Sequence, residues 1–144
     1  MKSSEFILIH IEDNRDDADV FQTVLRRSGI DVNIEYFRDG KTGYEFLQNL
    51  TISDDAPKML VILDLNLPRM TGAEILLKLR ESSKLEKIPI FVLSGSENPD
   101  DEKLCLALGA RRFFIKPWDL NGYKEFIQGD LINELKKLCP NFDI

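Results

Sequence analysis

Five short apolar runs are spaced along the chain, and a stretch with helical periodicity follows each of them. The runs Phe6-Ile7-Leu8-Ile9-His10-Ile11, Met59-Leu60-Val61-Ile62-Leu63, Ile90-Phe91-Val92-Leu93 and Phe113-Phe114-Ile115 are nearly continuous rather than alternating, with a shorter one around 33–37. Continuous apolar runs of this length read as strands covered on both faces, which is the signature of a parallel sheet. After the first run, Val20, Phe21, Val24 and Leu25 share one helical face, and Ser28-Gly29 ends that helix. Tyr44, Phe46, Leu47 and Leu50 predict a second helix. Ile75, Leu76 and Leu79 predict a third, and a fourth runs from near Pro99 to Gly109. A last helix spans about 119–138, with Pro140 beyond it. Segments 51–58 and 82–87 read as polar loops. The pattern is five βα units in one domain over 1–144, an α/β, flavodoxin-like doubly wound five-stranded parallel sheet.

The residues that end the runs change the picture. Glu12-Asp13 closes the first, Asp64 the second, Ser94 the third and Lys116-Pro117 the fourth. An unpaired carboxylate inside a buried strand is very costly. The carboxyl end of a strand is different, because open α/β sheets form their ligand crevices there. Taken singly, each of these residues reads equally well as a turn or surface residue. Their joint occurrence at four strand ends describes a site for a divalent cation and a phosphoryl group. Mg²⁺ takes oxygen ligands, commonly one or two carboxylates, water and a substrate phosphate. A Lys116 ammonium and a Ser94 hydroxyl suit the remaining phosphoryl oxygens, leaving Asp64 as nucleophile. Asp16, Asp17 and Asp19 read as charges at a helix N-terminus.

Composition narrows the function class. The 144 residues carry a net charge of −6, which argues against direct nucleic-acid binding. A hydrophobic fraction of 43% and a charged fraction of 31% fit a globular protein, and no apolar stretch is long enough for a membrane span. Cys105 and Cys139 lack metal or redox spacing, so a cytoplasmic protein with reduced thiols is expected. His10, the single histidine, lies inside a strand and reads as a packed residue. Trp118, next to Pro117, reads as a partly exposed cover residue or partner contact.

With Glu12-Asp13, Leu63-Asp64-Leu65-Asn66-Leu67-Pro68 followed by Met70 and Gly72, Ser94 and Lys116-Pro117, the chain resembles a two-component response-regulator receiver domain over essentially its whole length. The resemblance implies that Asp64 accepts a phosphoryl group from a sensor histidine kinase. It implies that Asp13, Asp64 and the Asn66 carbonyl hold Mg²⁺, with Glu12 acting through water. Ser94 and Phe113 occupy the switch positions, and Phe113 lacks the hydroxyl that a tyrosine would bring. It also implies a cis Lys116–Pro117 peptide. A stand-alone receiver without an output domain is expected, and the Ile11-Glu12-Asp13-Asn14 wording is similar to regulators paired with bacterial phytochromes. An aspartyl-phosphate hydrolase is the competing class, but it wants a second Asp two positions after the nucleophile, where Asn66 stands. A scaffold that needs no phosphorylation is the third reading. The last helix carries more apolar residues than one stripe requires. With Phe142 and Ile144 they are expected either to cap the core or to form a homodimer patch.

Overall fold

The computed structural model describes residues 6–50 and 59–140. Its five strands are β1 (Ile7–Ile11), β2 (Asn33–Phe37), β3 (Met59–Leu63), β4 (Ile90–Ser94) and β5 (Arg112–Ile115). All pairings are parallel, in the order β2-β1-β3-β4-β5. The chain order reverses beside β1, so the helices after β1 and β3 leave on opposite faces and open a crevice between those strand ends.

Alternate residues of the central strands feed two cores. Leu8, Leu60, Ile62, Phe91 and Leu93 pack with Phe21, Leu25, Tyr123, Phe126 and Ile127 on one face. Ile9, Ile11, Val61, Leu63, Ile90 and Val92 pack with Leu47, Ile75, Leu79 and Cys105 on the other. The central strands β3 and β4 are buried throughout, as their unbroken apolar runs predict. β2 departs from that pattern. It is an edge strand with Asn33 and Glu35 exposed, so it needs an apolar residue only at every second position.

Three helices begin beside the site with side-chain caps. Asn14 caps α1 (Arg15–Arg27) by accepting the Asp17 N–H, and Asp39 caps α2 (Gly40–Asn49) by accepting the Thr42 N–H. Thr71 caps α3 (Gly72–Glu81) by accepting the Glu74 N–H, while its hydroxyl donates to the Glu74 carboxylate at 3.1 Å. Such caps satisfy otherwise orphaned donors and each stabilises the helix by about 1 kcal/mol. A single 3₁₀ turn at Lys84–Glu86 lies in the segment read as a loop, and α4 (Pro99–Ala107) follows β4. The 51–58 loop and the tail residues Phe142 and Ile144 lie outside the described residues.

The last helix is not uniform. α5 (Leu120–Phe126) runs into a π-helical turn (Ile127–Leu131) and continues as α6 (Ile132–Leu138). Tyr123, Ile127, Leu131 and Leu135 are spaced by four, a drift of about 40° at each step along a regular helix; the wider π turn takes back part of that drift, and all four are buried. Tyr123 and Phe126 join the same core, and Ile132 and Leu138 pack against it. The apolar surplus of this helix is therefore core packing. Exposed large apolar side chains among the described residues are Leu77 of α3, Leu104 and Leu106 of α4, Ile115 of β5, Trp118 beyond it and Leu120 at the start of α5. No helix among the described residues is long and apolar enough to cross a membrane.

Candidate functional site

The site forms where β1, β3, β4 and β5 end together. Glu12 and Asp64 are the first residues past β1 and β3, Ser94 is the last of β4, and Lys116 follows β5. Backbone bonds fix these ends: the Asp64 N–H donates to Ile11 O at 3.0 Å, and the Lys116 N–H donates to Ser94 O at 2.8 Å. The Lys116 ammonium then lies 2.7 Å from Glu12 Oε1, 3.0 Å from Asp17 Oδ2 and 3.1 Å from Asp64 Oδ2. Its three donors thus face three carboxylates. Burial pulls the ammonium pKa down, but Glu12, Asp64 and Asp17 outweigh it, and the net shift is upward. Lys116 is a fixed positive charge at every ordinary pH.

The carboxylates remain in excess. Glu12, Asp13 and Asp64 each bring an oxygen to within 4.8 Å of the others, with Glu12 and Asp64 buried and Asp13 exposed. Burial, and next the Asp64 charge, push the Glu12 pKa up to about 8 against the pull of Lys116. One ammonium does not neutralise the cluster, and hard oxygen donors in this number fit a divalent cation. The remaining Asp64 oxygen, Oδ1, accepts the Leu65 N–H at 2.7 Å, which sets the plane of the carboxylate. Asn66, two residues on, is exposed at the rim.

Ser94 is fully buried, and its hydroxyl accepts the Ser96 N–H at 3.2 Å. Ser96 in turn donates to the Asp101 carboxylate in the first turn of α4, and its Oγ accepts the Asn98 N–H. A short hydrogen-bond chain therefore runs from the end of β4 into α4. Phe113 is half-buried, lies opposite Val92 in the sheet register and packs against the core shared by α3 and α4.

Two expectations are corrected. No peptide bond among the described residues is cis, so Lys116–Pro117 is trans. The ammonium still reaches Asp64 because the Lys116 backbone continues the β5 ladder to Ser94 and its four-carbon stem spans the remainder. Trans is also the lower-energy form of an X–Pro bond. Asp17, read as a solvated helix-end charge, instead joins the site. Side chains in a helix lean toward its N-terminus, so the first turn of a helix rising from β1 points back over the sheet end. Tyr36 was also missed; its hydroxyl donates to Glu12 O at 2.8 Å and ties β2 to the acidic turn. His10 is buried beside Phe21 and Tyr36, and its Nδ1 meets the Gln22 amide at 3.1 Å. Burial and then the Lys116 charge drive its pKa down to about 3, so the ring is neutral, as its position within a strand predicts.

The family model described as "Response regulator receiver domain" matches residues 7–128. The chain belongs to this family. Among curated relatives, response regulator Rcp1 of Synechocystis sp. is 32% identical over 124 residues, covering 85% of this chain and 84% of its own length. The structure of its Mn²⁺-bound form is similar with a TM-score of 0.74 and 29% identity, over 88% of this chain and 95% of that one. The phosphorylated cyanobacterial phytochrome response regulator RcpA is similar with a TM-score of 0.75 and 25% identity, over 95% of both chains. The chain is thus the receiver of a two-component response regulator, a signalling domain with the flavodoxin-like fold and an acidic cluster suited to a divalent cation.

Proposed function

We propose that this receiver takes a phosphoryl group onto Asp64 from a phosphohistidine of a sensor histidine kinase, with Mg²⁺ in the Glu12–Asp13–Asp64 cluster. The observation that carries the reading is Asp64 itself, a buried carboxylate held 3.1 Å from a lysine ammonium at the mouth of the sheet. An Asp64 oxygen attacks phosphorus, the P–N bond breaks, and its electron pair leaves with the imidazole, giving an aspartyl phosphate. Lys116 neutralises charge on the transferring oxygens, and the Ser94 hydroxyl donates to one of them. Glu12, Asp13, Asp64 and the Asn66 carbonyl would hold Mg²⁺, which supplies further neutralisation of phosphoryl charge when bound. Moving Ser94 toward the phosphoryl group breaks its bond from Ser96 and frees space that Phe113 can enter, changing the face made by α4 and β5.

Asn66 disfavours the hydrolase reading, because a neutral amide two residues after the nucleophile has no proton to shuttle. The receiver then assists only its own phosphorylation and dephosphorylation. Similarity to RcpA, a cyanobacterial phytochrome response regulator, supports a partner kinase of the phytochrome type. The exposed Leu104, Leu106 and Ile115 support a homodimer through the α4 and β5 face, a contact that phosphorylation would tune.

Acetyl phosphate and Mg²⁺ should add one base-labile phosphoryl group, detected by mass spectrometry. Asp64→Asn should remove it, and Asp13→Asn should weaken both labelling and metal binding. Undiminished labelling of the Asp64→Asn protein would refute the assignment.

A further inference from the structure

We infer that Asp17 is a positioning residue for phosphoryl transfer, the carboxylate that keeps the Lys116 ammonium aimed at Asp64 once the rest of the cluster is loaded. The inference rests on the reading of Asp64 as phosphoacceptor. Lys116 Nζ meets three carboxylates in this structure, at 2.7 Å (Glu12), 3.0 Å (Asp17) and 3.1 Å (Asp64). Two of them have other work. Glu12 and Asp64 belong with Asp13 to the group whose oxygens converge within 4.8 Å, and Asp64 also receives the phosphoryl group. Each turns part of its charge to those ligands when the site fills. Asp17 stands outside that group and on a different element, the first turn of α1. Its bond to Nζ does not compete with loading.

A lysine needs such a holder. Its ammonium is a strongly hydrated point charge on a flexible stem, and it turns to water wherever no partner fixes it. The Lys116 side chain is 14% exposed, and the open crevice of about 480 Å³ beside it, lined by Gly95, Glu97, Pro117 and Trp118, gives it a route outward. Asp17 lines the same crevice from the α1 side, and its bond to Nζ holds the ammonium back from it. The Asp17 side chain is itself 36% exposed, but its backbone is fixed by the Asn14 cap, which accepts the Asp17 N–H at 3.0 Å.

The test compares Asp17→Asn with Asp16→Asn, which removes a neighbouring exposed charge from the same helical turn without touching Lys116. Labelling by acetyl phosphate and Mg²⁺ is followed in both, in wild type and in a Lys116→Ala background, with Mg²⁺ affinity measured separately. Asp17→Asn should slow labelling about tenfold, as expected for loosening a catalytic group. Asp16→Asn should label like wild type, Mg²⁺ affinity should change less than twofold, and Asp17→Glu should recover part of the loss. In the Lys116→Ala background Asp17→Asn should have no further effect, because both changes act through one ammonium. Labelling of Asp17→Asn at or above the wild-type rate would overturn the inference. So would an equal loss in Asp16→Asn, or the same tenfold loss without Lys116. Failure of wild type to label at all would sink the phosphoacceptor reading instead, which keeps the two apart.

Discussion

Gly72→Ala probes how tightly the backbone holds Asp64. Gly72 opens α3, and its N–H donates to Leu65 O at 2.9 Å, drawing the helix start against the turn that carries Asp64. A Cβ at this position would lie 2.4 Å from Asp64 O and 2.9 Å from Leu65 Cα, both backbone atoms that cannot rotate away. Ordinary contact needs about 3.5 Å, so helix and turn must part by roughly 1 Å. A clash with backbone this close falls in the upper part of the range for overpacking, about 2–3 kcal/mol, and the better helix propensity of alanine offsets about 1 kcal/mol of it. The net loss of about 1–2 kcal/mol corresponds to a Tm lower by roughly 3–8 °C for a chain of this size. The effect on chemistry should be larger. Asp64 Oδ1 is anchored to the Leu65 N–H, so the shift turns the carboxylate relative to Lys116. A misplacement of about 1 Å costs up to about 10²-fold in rate. Thermal melts, and acetyl phosphate labelling at 25 °C where the variant is still folded, measure the two effects separately. Gly129→Ala serves as control, since a Cβ there meets nothing within 4 Å. Unchanged melting and unchanged labelling in Gly72→Ala would refute the claim that this glycine sets the position of Asp64.

Tyr36→Phe removes only the hydroxyl that bonds Glu12 O, so it should cost about 0.5–1.5 kcal/mol in urea unfolding and weaken Mg²⁺ binding modestly. An unchanged stability and metal affinity would show that β2 does not brace the acidic turn. Cys105 is fully buried, and burial followed by the Asp101 charge pushes its thiol pKa from 9.0 up to about 11. A thiol reagent at pH 8 should therefore modify half-buried Cys139 first and Cys105 only on unfolding. The raised pKa means that the folded state keeps a proton which the unfolded chain has lost. The contribution of this group to stability is full below about pH 9 and declines as pH rises toward 11.

The strands were legible where burial on both faces enforces an unbroken apolar run, as in β3 and β4, and the site where a chemically active residue ends such a run. Asp64, Glu12 and Lys116 meet because parallel pairing in register brings those ends to one edge of the sheet. Asp17 escaped notice because an acid in the first turn of a helix already has a sufficient reason to be there, the helix dipole. Tyr36 escaped because its alternating strand says which face it takes but not which carbonyl it will meet. The trans Lys116–Pro117 bond escaped because the resemblance implied a turn geometry, while the reach of the lysine stem removes the need for it. The surplus of apolar residues in the last helix was visible, but its cause was not: spacing by four reads equally as a second face or as a helix that changes its winding.

That change of winding bears on how this protein is compared with others. A π turn holds one residue more than the α turn it replaces, and here it spans Ile127–Leu131, with the family match ending at residue 128. Set beside a relative whose last helix winds regularly, the chain stays in step up to Phe126 and runs one residue ahead after Leu131. A gapless alignment would then pair Glu134, which reaches Arg112 of β5, with a position about 100° around the partner helix. Substitutions borrowed from such relatives for 132–138 should be moved by one position before they are made, or a change meant for solvent will land in the core beside Leu135.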